Sequence, residues 1–395
     1  MSQRSARRSP DPAEVRSVLV LRPDNLGDVV LFSGALRHLR ARFPRAEITL
    51  CVRRYVRELV ELCPHVDRVL DWEDLHEPLL GALPAFPGRG SLDALLRFAR
   101  LRLRLRPDLL LVPVRSPTDG IHQVAWAAGA RARFAVAGDD SNAGEAWTRR
   151  ATRGYDGVLR LDPARRGDHD LRVTRDFLAL LGIGAGLDEL RPELWTAPED
   201  RRWAEAAVPR AAGAATLAIA PGVTAPAGKL YPPEGLARAV ALAGEGPLRV
   251  ALFGSAAEAG LCAELAGRLA AVPGVAAVTD LSGRTTTRQM VEGIRRCDLF
   301  LGPDAGALHV AVALGMPTVG IVGGGHWGRF QPWGDPARNH VCTVRLECFG
   351  CDWNCRYDTV RCVAEVQPEE VARALRAALG AVPWRAEPVP EEAVP

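Results

Sequence analysis

Short apolar runs alternate with helix-period segments twice along this chain, and few folds accept that pattern. Residues 17–22 (SVLVLR) read as a buried strand. The turn PDNLG follows, then a helix over 28–43 with Val29, Leu31, Phe32, Ala35, Leu36 and Leu39 at helical spacing. Strands are expected at 47–52 and 66–70, a helix at 92–105 stopped by Pro107, a strand at 108–114 and a helix at 170–181. A stretch rich in Gly, Pro and charge intervenes, and the alternation restarts. Strands are expected at 216–220, 248–253, 298–301 and 317–322, and helices at 233–242, 256–270, 306–314 and 368–379. Strands separated by helices give a parallel sheet covered on both faces. The expected class is α/β: two Rossmann-like doubly wound domains facing a cleft, with ligands at the C-terminal strand edges. The expected boundaries are a disordered 1–15, a first domain 16–183, a linker 184–213, a second domain 214–380 and a flexible tail 381–395.

Length agrees, since 395 residues make two domains at roughly 100–200 residues each. A formal net charge of +3 gives no reason to expect a nucleic-acid partner. No apolar run approaches the ~20 residues that span a bilayer. The N-terminal stretch is basic but lacks the apolar core of a secretion signal, so a cytoplasmic setting is expected. Among the 50 lysine and arginine residues only Lys229 is lysine. A compact ammonium and a planar guanidinium are not equivalent at a crowded site, so this survivor marks a candidate functional position.

Five features carry candidate chemistry. First, Gly27-Asp28 sits where a strand turns into a helix; Asp28 is either a first-turn carboxylate favoured by the helix dipole or a general base. Second, the loop 221–224 (PGVT) follows the first strand of the second half. There Gly222 and Thr224 bring backbone amides near an anion and Lys229 supplies charge, although no GxxxxGK[ST] phosphate loop is present. Third, in the segment 301–309 (LGPDAGALH), a helix starting at Gly306 offers free amides to a diphosphate. Asp304 at the strand end can accept sugar hydroxyls, and His309 is either a satisfied core histidine or part of the site. Fourth, Glu258 follows a strand and a glycine turn, where a carboxylate either binds ribose hydroxyls or simply starts a helix. Fifth, Cys342, Cys348, Cys351, Cys355 and Cys362 are spaced C-x5-C-x2-C-x3-C-x6-C. Such a cluster holds zinc or an iron–sulfur centre, forms disulfides in an oxidising compartment, or stays as free thiols.

In this order the five features resemble glycosyltransferase family 9, the ADP-heptose heptosyltransferases of lipopolysaccharide core assembly. The resemblance runs over roughly 17–380. It is carried by VLVLRPDNLGDVVLFSGALRHLRARFPRAEITL, APGVTAPAGKLYPPEGLARAV, LFGSAAEAG, LGPDAGALHVAVALGMPTVGIVG and CFGCDWNC…C. It implies a GT-B fold, an ADP-L-glycero-β-D-manno-heptose donor, and inversion without a metal or other required cofactor. Asp28 would then be the base, and Lys229 the diphosphate contact. Asp304 with the amides of Ala305 and Gly306 would hold sugar and phosphate beside His309, and Glu258 the ribose. Arg22, Asn25, Gly27 and Arg115 fall on the implied acceptor side. The chain departs from the family pattern at Ala305, where a hydroxyl residue is usual, at Tyr231, where Trp is usual, and in the loop bearing Pro226 and Gly228. The implied partners are a nucleotide-diphosphate sugar and a sugar or glycolipid acceptor, with peripheral membrane association if the acceptor is a glycolipid. The alternative class is a metal- or cluster-binding, non-transferase protein built around Cys348, Cys351, Cys355 and Cys362.

Overall fold

The computed structural model describes residues 4–6, 10–79, 92–138, 142, 150–165, 167–224, 227–244 and 246–380. The expected tail 381–395, six of the first nine residues of the expected disordered 1–15, and Pro226 lie outside the described residues. The chain divides into two compact units, Met1–Trp195 and Thr196–Pro395.

In the first unit the strands are β1 (Arg4–Ala6), β2 (Ser17–Leu21), β3 (Glu47–Val52), β4 (Arg68–Asp71), β5 (Leu109–Val112), β6 (Ala132–Ala137) and β7 (Gly157–Arg160). Among the described residues they form one sheet in the order β1-β7-β6-β5-β2-β3-β4. All pairings are parallel except the antiparallel edge pair of β1 with β7. From β2 the chain winds outward through β3 and β4, then returns to β5 on the other side of β2. The crevice between β2 and β5 is therefore the topological switch point, where such sheets bind ligands. β5 is buried at all four positions, as a strand covered on both faces must be. The helix Leu26–Arg42 leaves β2 with Asp28 in its first turn and Arg40 and Arg42 in its last, which complements the helix dipole at both ends.

The second unit repeats the scheme with β8 (Ala215–Ile219), β9 (Leu248–Leu252), β10 (Val275–Asp280), β11 (Leu299–Pro303), β12 (Thr318–Ile321) and β13 (Asn339–Cys342). Its described strands run β10-β9-β8-β11-β12-β13, all parallel. The switch point lies between β8 and β11, whose residues are all buried. Leu217, Ile219, Leu299 and Leu301 form its core with Leu236 and Val240 of the helix Pro233–Ala243. Each such side chain contributes about 1.5–3 kcal/mol by leaving water.

The structure refines the sequence expectations in two places. The expected helix at 256–270 begins as a 3-10 turn, Ala256–Glu258, before the α-helix Ala259–Ala270, because Ser255 and Glu258 close a capping box there. The Gly- and Pro-rich stretch 184–213 carries a 3-10 turn at Asp188–Leu190 and a helix at Pro198–Ala207, with Pro198 at a position where its missing N–H costs nothing. Among the described residues no helix is long and apolar enough to cross a membrane.

Candidate functional site

At the switch point of the second unit, the loops after β8 and β11 bring Lys229 and Asp304 together. Lys229 ends a 3-10 turn, Ala227–Lys229. Its Nζ donates to Asp304 Oδ2 at 3.1 Å and to the Asp304 carbonyl at 3.3 Å. The pair is largely buried, with side-chain exposures of 14% and 6%. Burial alone would raise the Asp304 carboxyl, but the Lys229 ammonium and His309 hold it well below the usual carboxylate range. It is therefore ionised, and it holds Lys229 in place. His309 Nε2 lies 3.7 Å from Asp304 Oδ1. The Trp333 indole N–H donates to His309 Nδ1 at 3.0 Å, which puts the ring proton of a neutral His309 on Nε2, facing Asp304. His309 is thus both buried and part of the cluster.

Immediately after Asp304 the helix Gly306–Ala313 begins. Its N-cap is Ala305, and no side chain caps it. Gly306 and Ala307 stand in its first turn, where amides lack intrahelical partners and favour an anion. On the other side, Gly222 packs against the Glu258 carboxylate so closely that a Cβ there would overlap it. Glu258 Oε2 accepts from the Ser255 amide at 2.7 Å and hydroxyl at 2.8 Å, which is the helix-starting role. Thr224 is exposed. Tyr231 is buried, its hydroxyl donating to the Val366 carbonyl at 2.8 Å.

Several residues here escaped the sequence reading. The run after β12, residues 323–333, brings His326, Arg329 and Trp333, and the cysteine segment brings Asp352 and Trp353. Arg329 Nη1 pairs with Asp352 Oδ1 at 2.6 Å. Burial, then Arg329 and Lys229, push His326 down to about 4, so it is neutral near pH 7. The Lys229 ammonium lies 4.8 Å from the centre of the Trp353 ring. The legible signal was GGGHWGR just after β12, the strand next to β11.

In the first unit the switch point holds a buried charge cluster. Arg22, 1% exposed, pairs with Asp24 at 3.0 Å and Asp170 at 3.0 Å, and also donates to the carbonyls of Pro113 and Asp28. Arg115 lies 3.7 Å from Asp170 and donates to the Asp168 carbonyl. These internal partners engage both arginines expected on the acceptor side. Asp28, half-buried, accepts from the Asn25 amide at 3.2 Å, and Asn25 accepts from the Tyr55 hydroxyl at 3.2 Å. Gly27 is buried between them in sequence. Asp24 was missed by the sequence reading; burial pushes its carboxyl above the ordinary value against the pull of Arg22.

Cys348, Cys351, Cys355 and Cys362 line one pocket together with Phe349 and Trp353, and the Gly324 amide points at Cys362 Sγ at 3.3 Å. Cys342, the last residue of β13, is buried in the core together with Cys362. The cysteines are free thiols, and among the described residues no three His, Cys, Asp or Glu side chains are placed to hold a metal ion.

The family model for "Glycosyltransferase family 9 (heptosyltransferase)" matches residues 138–355, more than half of the chain. Lipooligosaccharide heptosyltransferase 2 of Campylobacter jejuni is 27% identical over 100 residues, 25% of this chain; the match spans 31% of that protein's length. A family 9 glycosyl transferase from Veillonella parvula has a TM-score of 0.70 at 16% identity, covering 95% of this chain and 100% of that one. ADP-heptose lps heptosyltransferase II of E. coli has a TM-score of 0.64 at 21% identity, covering 92% and 98%. At these identities the structural likeness establishes the fold, and the fold is that of the GT-B heptosyltransferases.

Proposed function

The chain belongs to glycosyltransferase family 9, and from that premise we propose that it transfers a heptose or related sugar from an ADP-sugar to an acceptor hydroxyl, inverting the anomeric centre without a metal ion. The observation that carries this reading is the Lys229–Asp304 pair beside the uncapped helix start at Gly306. An ammonium, first-turn amides and the positive end of a helix are what a leaving diphosphate needs if no divalent cation neutralises it. Asp304 orients Lys229 and offers its oxygens to donor hydroxyls. Glu258, with Oε1 against Gly222, would accept the ribose hydroxyls.

In the proposed reaction Asp28 takes the proton of the acceptor hydroxyl. The freed oxygen pair forms a bond to the anomeric carbon opposite the leaving group. The bond from that carbon to the diphosphate oxygen breaks, and its electrons leave with ADP, stabilised by Lys229 and the amides near Gly306. One carboxylate base suffices for inversion. Asn25 and Gly27 shape the turn presenting Asp28, while Arg22 and Arg115 hold the chain beneath it. The acceptor is a lipopolysaccharide core sugar or a small molecule, the setting cytoplasmic, with peripheral membrane contact for a glycolipid acceptor.

Lys229 tests this reading. Lys229→Ala is expected to slow transfer by about 2–4 kcal/mol in barrier, the scale of losing one transition-state donor. Lys229→Arg should also be damaging, because the longer fork displaces the phosphates. Initial rates and ADP affinities of both variants, with thermal melts as control, decide it. Wild-type activity in Lys229→Arg would reduce the single lysine to an accident of composition.

A further inference from the structure

We infer that Trp353 is a positioning residue of the donor site, its indole face setting where the Lys229 ammonium points. The inference rests on the reading of Lys229 as the diphosphate contact. A lysine ammonium has three N–H bonds on a flexible stem, and left to itself it samples many directions. Here Asp304 accepts two N–H bonds, at its carboxylate at 3.1 Å and its carbonyl at 3.3 Å, and the ammonium lies over the Trp353 ring at 4.8 Å. With two N–H bonds donated to Asp304 and a ring face on one side, the third N–H has a narrow choice of direction.

The ring is held in turn by the backbone and loop around it. Asp352 and Trp353 are consecutive non-glycine residues at φ 51° and 63°, in the left-handed region, and such strain persists only where the surroundings over-determine it. The Asp352 amide donates to the Gly325 carbonyl at 3.1 Å and its carboxylate pairs with Arg329. Gly323 and Gly325 pack against the indole, and a Cβ at either would overlap the ring. His326 meets it edge-on at 5.9 Å. A buried indole N–H usually finds an acceptor. That of Trp353 has none among the described residues, so a hydrogen bond does not set the ring's position. What remains is packing from Gly323, Gly325 and His326 and the ammonium over the ring. The cysteine-bearing segment thereby reaches the donor site through one side chain.

The test uses ADP as the probe and exploits the single lysine. Lysine labelled with ¹³C and ¹⁵N gives side-chain signals from Lys229 alone, and a ring-current shift of its terminal methylene is expected in the wild type. That shift should be lost in Trp353→Leu and Trp353→Met and largely kept in Trp353→Phe. Calorimetry should show ADP binding weakened about tenfold in the Leu and Met variants, and little in the Phe variant, as for loss of a partly desolvated cation–π contact. In a Lys229→Ala background the same Trp353 changes should cost nothing further, because a merely structural role would add in both backgrounds. No ring-current shift in the wild type, or equal losses in both backgrounds, overturns the role of Trp353. Wild-type ADP affinity in Lys229→Ala overturns instead the reading of Lys229 beneath it.

Discussion

Asp28→Asn is expected to cut sugar transfer about 10²–10⁴-fold while ADP binds as to the wild type. The substitution separates two roles that the structure superimposes. Asp28 Oδ2 accepts from the Asn25 amide and so helps start the helix Leu26–Arg42. An asparagine oxygen can still accept that hydrogen bond, so the fold should hold. It cannot take a proton from an acceptor hydroxyl. Asp28→Ala loses both functions, and should add about 1 kcal/mol of instability to the same catalytic defect. Initial rates with saturating donor, ADP titration and a melt read the three consequences separately. Near-normal turnover in Asp28→Asn would remove Asp28 from the chemistry. Asp24, whose carboxyl burial raises above the ordinary value, would then be the next candidate.

Asp170→Ala is expected to destabilise the first unit by about 3–5 kcal/mol, the cost of stranding charge inside a protein. Asp170 is 1% exposed and faces two buried guanidinium groups, Arg22 at 3.0 Å and Arg115 at 3.7 Å. Arg22 keeps Asp24 after the substitution, which softens the loss; Arg115 keeps hydrogen bonds but loses its carboxylate neighbour. The exposed Asp188 is the control, where replacement by Ala should change stability by no more than ~0.5 kcal/mol. Urea midpoints of the two variants make the comparison. If Asp170→Ala unfolds like Asp188→Ala, the cluster is not structural, and Arg22 and Arg115 return as candidate acceptor ligands.

The elements legible in the sequence were those whose local signals and burial agree. β2 and the helix after it, β8, β11 and the helix from Gly306 all combine an apolar run, a turn residue and a helix start. β6 (ARFAVA) is short on β-branched residues, and β10 (VAAVTD) is an edge strand with no fully buried position, so neither rises above its surroundings. The helix Thr287–Arg295 carried a readable capping box, Thr286 with Gln289, that the reading passed over. The helix Pro198–Ala207 was hidden by a composition that reads as linker. For the site, strand-end residues such as Asp304 and Gly222 were legible because strand ends face ligands in this fold. His326 and Arg329 sat in a glycine-rich run after β12 that was passed over, whereas tertiary folding alone brings Trp353 to Lys229 and Trp333 to His309. The lysine itself was found by a different route, as the exception in an arginine-rich chain.

The most direct test of the whole account is a titration of the wild-type protein with ADP, UDP and GDP in the presence of EDTA, repeated with Lys229→Ala. The account predicts that ADP binds in EDTA, that UDP and GDP bind clearly more weakly, and that Lys229→Ala loses most of the ADP affinity while still melting cooperatively, at a lower temperature because buried Asp304 loses its partner. ADP binding that requires Mg²⁺ or Mn²⁺, a preference for UDP or GDP, or an affinity indifferent to Lys229 would contradict it.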